Sequence, residues 1–306
     1  MVKDGVWPTM ITPFTETGEI DYETLEQLIE WYIGKGVSGL FAVCQSSEMF
    51  HLSLDERVRL ARFVRERAAR RVQVIASGHI SESMEDQVNE IRAISAEGIE
   101  AFVIVSNRLA SREEADDVWK RNADRLLREV PDVSFGIYEC PYPYKRLLSP
   151  ELLKWCAETG RFLFLKDTCC DLKQLEAKLN AVRGTRLKLF NANAATLLQS
   201  LDMGAAGYSG VMANFHPDLY VRLLQLQRSQ PEEAARLQQF LGSASAIERQ
   251  LYPYNAKYYL QLEGLPIGLR GRSGGSVGLT ASMKLEIEQL RGTEKQFRTI
   301  MNVSGW

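Results

Sequence analysis

Histidine is scarce in this chain of 306 residues: there are three, His51, His79 and His216, and no two are close in sequence. A histidine-rich metal site is therefore not expected. The five cysteines, Cys44, Cys140, Cys156, Cys169 and Cys170, are odd in number and include no C-x-x-C pair. In a large chain whose N-terminus has no apolar leader, they read as free thiols. No apolar run approaches the roughly 18 residues that span a bilayer. No G-x-G-x-x-G follows an apolar run, so the mark of a dinucleotide-binding sheet is missing. Net charge is −2, so no basic excess points to nucleic acid or to an anionic membrane surface. The expectation is a cytoplasmic enzyme with no nucleic-acid or membrane partner.

What is present is alternation. The 45% hydrophobic and 25% charged composition is that of an ordinary packed domain. Short apolar, β-branched runs occur at Val6–Ile11, Gly39–Val43, Val72–Ala76, Ala101–Val105, Val133–Tyr138, Phe162–Lys166, Leu187–Phe190 and Ala206–Val211. Helix-like stretches lie between them, including Tyr22–Ile33, Leu54–Ala69, Met84–Ala96, Arg112–Arg128 and Leu172–Val182. Ser53 before Leu54, with Glu56 three residues on, is a capping-box signature. Eight βα units predict an α/β fold, a (β/α)8 TIM barrel, over 1–229. The pattern is then helical, with runs near Ala244–Leu262 and Ala281–Met301, which predicts a C-terminal helical extension over 230–306. The glycine-rich segment Gly268–Gly278, with Arg270 and Arg272, follows no strand and reads as an ordinary loop rather than a phosphate cradle.

In a barrel of this kind the chemistry sits at the carboxyl ends of the strands. Phe162-Leu163-Phe164-Leu165 runs directly into Lys166 and Asp167. A lysine at the end of a buried strand is poorly solvated, which favours the neutral, nucleophilic amine and so an imine with a ketone. The competing reading is a lysine paired with Asp167 or reaching to the rim. Tyr138 ends the fifth apolar run and is a candidate proton shuttle, or simply a cover for the core. Ser46 and Ser47 follow the second run. Their hydroxyl and backbone N–H groups suit a carboxylate, or else turn chemistry. Glu48 is a candidate for orienting that loop. Cys44, Cys140 and Cys169 fall near the mouth, but no ligand spacing supports zinc, and apolar filling is the simpler role.

Taken in order, these residues resemble the dihydrodipicolinate synthase / N-acetylneuraminate lyase family of class I aldolases. Trp7-Pro8-Thr9-Met10-Ile11-Thr12-Pro13-Phe14 is similar to the family's first strand, and Cys44-Gln45-Ser46-Ser47-Glu48 lies where the family has its G-[TS]-T-G-E loop. Tyr138-Glu139-Cys140-Pro141 resembles Y-N-x-P, and Lys166-Asp167-Thr168 resembles the Schiff-base K-[DE]-[ST]. Gly204 through Pro217 resembles the glycine-rich eighth strand, and Lys257 to Pro266 the K…G-L-P helix end. The resemblance implies a covalent imine on Lys166 with no separate cofactor or metal, and Tyr138 as the acid/base partner. It implies Ser46 and Ser47 on the carboxylate of a small-molecule 2-oxo acid, with Gly207, Ser209, Gly210 and Val211 near the imine. Glu139, where asparagine is usual, becomes a candidate reader of a substrate hydroxyl. A homo-oligomer, dimer or tetramer, is also implied.

Several positions depart from the pattern. Gln45 replaces a hydroxyl residue and Ser47 a glycine. No tyrosine occurs between residues 101 and 137, where the synthases carry a second one. Arg146 is out of register with the synthase arginine, and Ala192-Asn193-Ala194 replaces G-[ND]-[DE]. The expectation is a Schiff-base lyase, aldolase or dehydratase, on pyruvate or a sugar-derived 2-oxo acid, and not the lysine-pathway synthase. The alternatives are a catalytically reduced member that binds a 2-oxo acid as a sensor and, more remotely, a metal-dependent barrel lyase.

Overall fold

A computed structural model describes residues 1–273 and 278–301. The strands β1 (Gly5–Val6), β2 (Gly39–Phe41), β3 (Gln73–Ala76), β4 (Ala101–Val105), β5 (Phe135–Tyr138), β6 (Phe162–Asp167), β7 (Lys188–Asn191) and β8 (Gly207–Tyr208) run parallel in the order β1-β8-β7-β6-β5-β4-β3-β2. A bridge between Thr9 and Phe41 joins the two ends of that order. The ring is the (β/α)8 barrel expected from the alternation.

Helices α1 (Tyr22–Gly34), α2 (Leu54–Ala68), α3 (Met84–Ser95), α4 (Asp116–Glu129), α5 (Pro150–Glu158), α6 (Leu172–Val182), α7 (Leu197–Asp202) and α8 (Pro217–Ser229) form the outer layer. After them come α9 (Pro231–Ala244), α10 (Tyr254–Leu262) and α11 (Ala281–Ile300). Ser53 and Glu56 cap α2 reciprocally, as their spacing predicts. None of the described helices is long and apolar enough to cross a membrane.

Several boundaries differ from the sequence expectation, each for a local reason. β1 stops at Val6 because Pro8 has no N–H for the ladder. β8 is confined to Gly207–Tyr208, where a Cβ on Gly207 would lie 1.9 Å from the Gly5 carbonyl oxygen. α4 begins at Asp116 rather than Arg112, because Arg146 takes the carbonyls of Ser111 and Glu114. The run expected over Ala244–Leu262 breaks into a 3-10 turn, Ser245–Arg249, and α10, which starts immediately after Pro253. Residues 274–277 of the Gly268–Gly278 segment, and 302–306 of the extension, lie outside the described residues.

Aromatic rings fill the barrel. Phe164 stacks on Phe190 at 4.4 Å and meets Trp7 edge-on at 5.5 Å, and Phe41 meets both Phe164 and Tyr138. Phe162, two residues before Phe164, instead packs against Trp119 and Trp155 of the helical layer. Residues two apart should share a face. The exception is a bulge: Phe135 pairs with Phe162, but Gly136 pairs with Phe164, so Leu163 is extra. Beyond it, Phe164 and Lys166 point inward, while Leu165 and Asp167 point to the helices.

The extension is tied to the barrel by charge as well as by packing. Phe297 stacks on Phe240 at 4.6 Å, and Arg298 forks onto Asp218 of α8 at 2.6 and 2.9 Å. Arg298 also donates to buried Glu294, which lies 3.2 Å from His216 Nδ1 and accepts from the Tyr259 hydroxyl. Burial alone would raise the Glu294 carboxyl; His216, Arg298 and Tyr259 outweigh it and hold it down to about 2. A carboxyl lowered on folding stabilises above its unfolded value, near 4.3, and that stability is lost as pH falls through the folded value. Wild type should therefore lose roughly 3 kcal/mol more than Glu294→Gln between pH 5 and pH 2. Urea melts across that range measure it, and equal acid slopes in the two proteins would contradict it.

Candidate active site

The inward face of β5 and β6 brings Tyr138 and Lys166 together. The two residues are register partners, and Lys166 Nζ lies 4.4 Å from the Tyr138 ring centroid. Lys166 is 4% exposed, and its Nζ has no hydrogen bond or ion pair to any described residue. Burial lowers its ammonium to about 8, against the opposing pull of Cys44, Cys140 and Glu248. About a tenth of the amine is then free at pH 7, far more than for an ordinary lysine, as a nucleophile requires.

Tyr138 donates to Gln45 Oε1 at 3.1 Å, and the Cys140 thiol donates to the same oxygen at 3.3 Å. Burial pushes the Tyr138 hydroxyl well up, so it stays protonated. Ser46 Oγ donates to Thr9 Oγ1 at 3.1 Å. Ser47 Oγ is enclosed by backbone, 2.6 Å from the Ala42 carbonyl and 2.9 Å from that of Met10. Glu48, in the left-handed region at φ 61, accepts from the N–H groups of Arg272 at 2.6 Å and Ser273 at 2.7 Å. Its other oxygen lies 3.4 Å from Lys257 Nζ. Glu48 thus anchors the loop to the extension.

These side chains open into a cavity of about 930 Å³. Gln45, Ser46, Tyr138, Lys166, Gly210 and Val211 line its floor side; Glu248, Arg249, Tyr252 and Tyr254 line it from the extension. Ser47, Glu139, Gly207 and Ser209 lie outside the lining. Ser209 Oγ donates to the Trp7 carbonyl at 3.0 Å, and Gly207 packs on β1. A second cavity, of about 820 Å³, lies at the amino ends of β1, β7 and β8, remote from Lys166.

Glu139 and Asp167 face the helices. Lys178 Nζ of α6 lies 2.6 Å from Glu139 Oε1 and 2.6 Å from Asp167 Oδ2, with all three groups buried. Glu139 also accepts from the N–H groups of Leu148 and Thr168 at 2.9 and 3.1 Å. Burial raises the Glu139 carboxyl to about 7; the nearby Asp167 charge adds to the rise and Lys178 opposes it. Asp167 is therefore engaged with Lys178, not with Lys166.

Sequence reasoning missed Lys178, Glu248, Arg249 and Tyr252. A signal for Lys178 was present: it sits among Leu175, Leu179 and Val182 on the buried face of an amphipathic helix. Glu248, Arg249 and Tyr252 fall where one continuous helix was expected. Among the described residues, no group of three or more His, Cys, Asp or Glu side chains is arranged to hold a metal ion. Cys44 instead lies 3.4 Å from Ser47 Oγ, and Cys169 donates to the Asp171 carbonyl.

Comparison with known proteins agrees with this geometry. The sequence model of the dihydrodipicolinate synthetase family matches residues 3–282. The chain is 28% identical over 257 residues to a 4-hydroxy-tetrahydrodipicolinate synthase of Roseobacter denitrificans, covering 84% of this chain and 83% of the relative. It is 24% identical to the synthase of Methanocaldococcus jannaschii over 280 residues, 90% of this chain and 91% of that one. Among solved structures, YagE from E. coli K12, a prophage protein belonging to the dihydrodipicolinic acid synthase family and crystallised in complex with pyruvate, superposes with a TM-score of 0.86. That match has 22% identity and covers 96% of this chain and 99% of the other. At this identity the likeness establishes the fold.

The Lys178 cluster makes a stability prediction. Lys178→Met leaves two buried carboxylates facing each other and should cost about 3–5 kcal/mol in urea unfolding at pH 8. Adding Glu139→Gln and Asp167→Asn should return most of that loss. A single variant as stable as wild type would show that the cluster is not holding the two carboxylates.

Proposed function

Because the chain belongs to the dihydrodipicolinate synthetase family, we propose that it is a Schiff-base-forming lyase, an aldolase or dehydratase, acting on pyruvate or a sugar-derived 2-oxo acid. The observation that carries the reading is the Lys166 amine: buried, without an ion pair to any described residue, and 4.4 Å from the Tyr138 ring on the floor of a cavity. The amine attacks the ketone carbon to give a carbinolamine. Tyr138 protonates the leaving hydroxyl, water departs and an iminium remains. The iminium then accepts the electron pair of the adjacent bond. In dehydration, the Tyr138 phenolate left by the first step takes the C3 proton to give an enamine and returns it to the C4 hydroxyl, which leaves as water. In aldol cleavage, it takes the C4 hydroxyl proton as C3–C4 breaks, releasing an aldehyde and leaving the enamine. Ser46, through its hydroxyl, and the backbone N–H groups of Gln45 and Ser46 hold the carboxylate, with Gly210 and Val211 opposite; the Ser47 N–H is already given to the Cys44 carbonyl. Lys166 and Tyr138 are the catalytic residues in this account.

Two positions that depart from the synthase pattern argue against the lysine-pathway synthase. Asn107 donates to the carbonyls of Cys140, Tyr142 and Tyr144, where the synthase pattern has its second tyrosine. Arg146 is engaged with Asp116 and with the Ser111 and Glu114 carbonyls, away from the cavity. The family resemblance also favours a homo-oligomer. A second reading, a catalytically reduced 2-oxo acid binder, draws support from Gln45. Its amide oxygen accepts the Tyr138 hydrogen bond at 3.1 Å but cannot pass a proton onward as a hydroxyl can.

Borohydride trapping decides between them. With pyruvate or a six-carbon 2-oxo acid, reduction should leave a stable adduct on the Lys166 peptide, absent in Lys166→Ala. Tyr138→Phe should slow trapping by roughly 10²- to 10⁴-fold. An unmodified Lys166 peptide with both acids, together with equal ligand-induced Tm shifts in wild type and Lys166→Ala, would favour the binder.

A further inference from the structure

The cavity is much larger than a three-carbon acid needs; its volume is that of sites for ligands several times that size. Whatever occupies the outer part meets the extension as well as the loops of the barrel. Two carboxylates line the cavity among the described residues, Glu48 and Glu248. Glu48 is fully occupied by Lys257 and two backbone N–H groups. Glu248 has no hydrogen bond or ion pair to a described residue, although it is half-buried. A half-buried carboxylate without a partner is costly to keep, and Glu248 lines the cavity.

Its backbone is rigidly held. Glu248 lies in the 3-10 turn Ser245–Arg249, between α9 and α10. Asn255 clamps that turn by donating to the Ile247 and Gln250 carbonyls at 2.8 and 3.1 Å. Buried Gln238 fixes α9 to the loop after β7, donating to the Ala194 carbonyl at 2.8 Å and accepting from the Leu198 N–H at 2.8 Å. A group so fixed is suited to selecting among ligands. Burial also lifts the Glu248 carboxyl, a rise that Arg249 and Lys166 partly offset.

Resting on the imine reading of Lys166, we propose that Glu248 binds the substrate beyond its carbonyl by accepting hydrogen bonds from hydroxyl groups, so that the substrates are hydroxylated 2-oxo acids. Glu248 can only accept, so the group opposite it must be a donor. An ammonium donor is disfavoured because Arg249 lines the same mouth and Lys166 the floor. A second substrate carboxylate would meet Glu248 with like charge. Phe50, Tyr142 and Tyr252 also line the cavity, and their aromatic faces suit the C–H faces of a polyhydroxylated chain.

Titration calorimetry tests this with two probes of equal length: a six-carbon 2-oxo acid with hydroxyls on carbons 4 to 6, and 2-oxohexanoate. Wild type should bind the hydroxylated acid more tightly. Glu248→Ala and the isosteric Glu248→Gln should each weaken that binding by roughly 10- to 100-fold. Affinity for 2-oxohexanoate should change several-fold less, so the preference collapses. A preference unchanged in a folded Glu248→Gln protein, or both acids weakened alike, would overturn the assignment. Borohydride trapping on the same wild-type samples keeps the two readings apart. An adduct with no effect of Glu248 on preference refutes the Glu248 assignment alone, and a Glu248-dependent preference without an adduct refutes the imine alone.

Discussion

Lys178 holds Glu139 and Asp167 together on the outer face of the barrel, and the inner face depends on it. Adjacent residues of a strand point to opposite sides. β5 therefore presents Tyr138 inward and Glu139 outward, and β6 presents Lys166 inward and Asp167 outward. Without a cation on the outer side, two buried carboxylates would face each other across neighbouring strands. With Lys178 at 2.6 Å from both, their charge is answered locally. Lys166 is then left with burial as the largest influence on its proton, which is the condition for a free amine near neutrality.

The dryness of the floor comes from the aromatic filling. Phe41, Phe164, Phe190 and Trp7 are fully buried and pack on one another within the barrel, and Gly136 makes room for Phe164: a Cβ there would lie 3.3 Å from the Phe164 Cβ. The bulge at Leu163 matters as much. A one-residue slip moves every side chain to the other face. Without the bulge, the phase that sends Phe162 to the helices would send Phe164 and Lys166 there too, and bring Asp167 inside.

Much of the barrel was legible because its strands and helices alternate at a regular spacing, and Lys166 and Tyr138 were legible because each ends an apolar run. The bulge was not. Phe162-Leu163-Phe164-Leu165 is apolar at every position, so it carries no period-2 record of which side chain faces which way. Pairing of Lys166 with Asp167 stayed open in the sequence, and both it and the fate of Glu139 turned on a partner on α6, eleven residues beyond Asp167 in the chain. The extension was legible as helix and illegible as part of the site. Pro253 breaks the expected run, and the irregular turn this leaves carries Glu248 and Arg249 to the cavity mouth. Gly207 and Ser209 show the opposite case: family motifs marked them, while their contacts, with Gly5 and Trp7, are those of barrel closure.

Imine formation in this barrel depends on one quantity, the protonation of Lys166 in the free protein. Heteronuclear NMR of protein carrying lysine labelled at the ε-carbon follows it directly, with Lys166 identified by the signal lost in Lys166→Arg. A midpoint near pH 8 is the predicted result. A midpoint at the ordinary lysine value, about 10.4, would contradict it, because the ammonium would then have found a partner or water that the barrel floor is built to exclude.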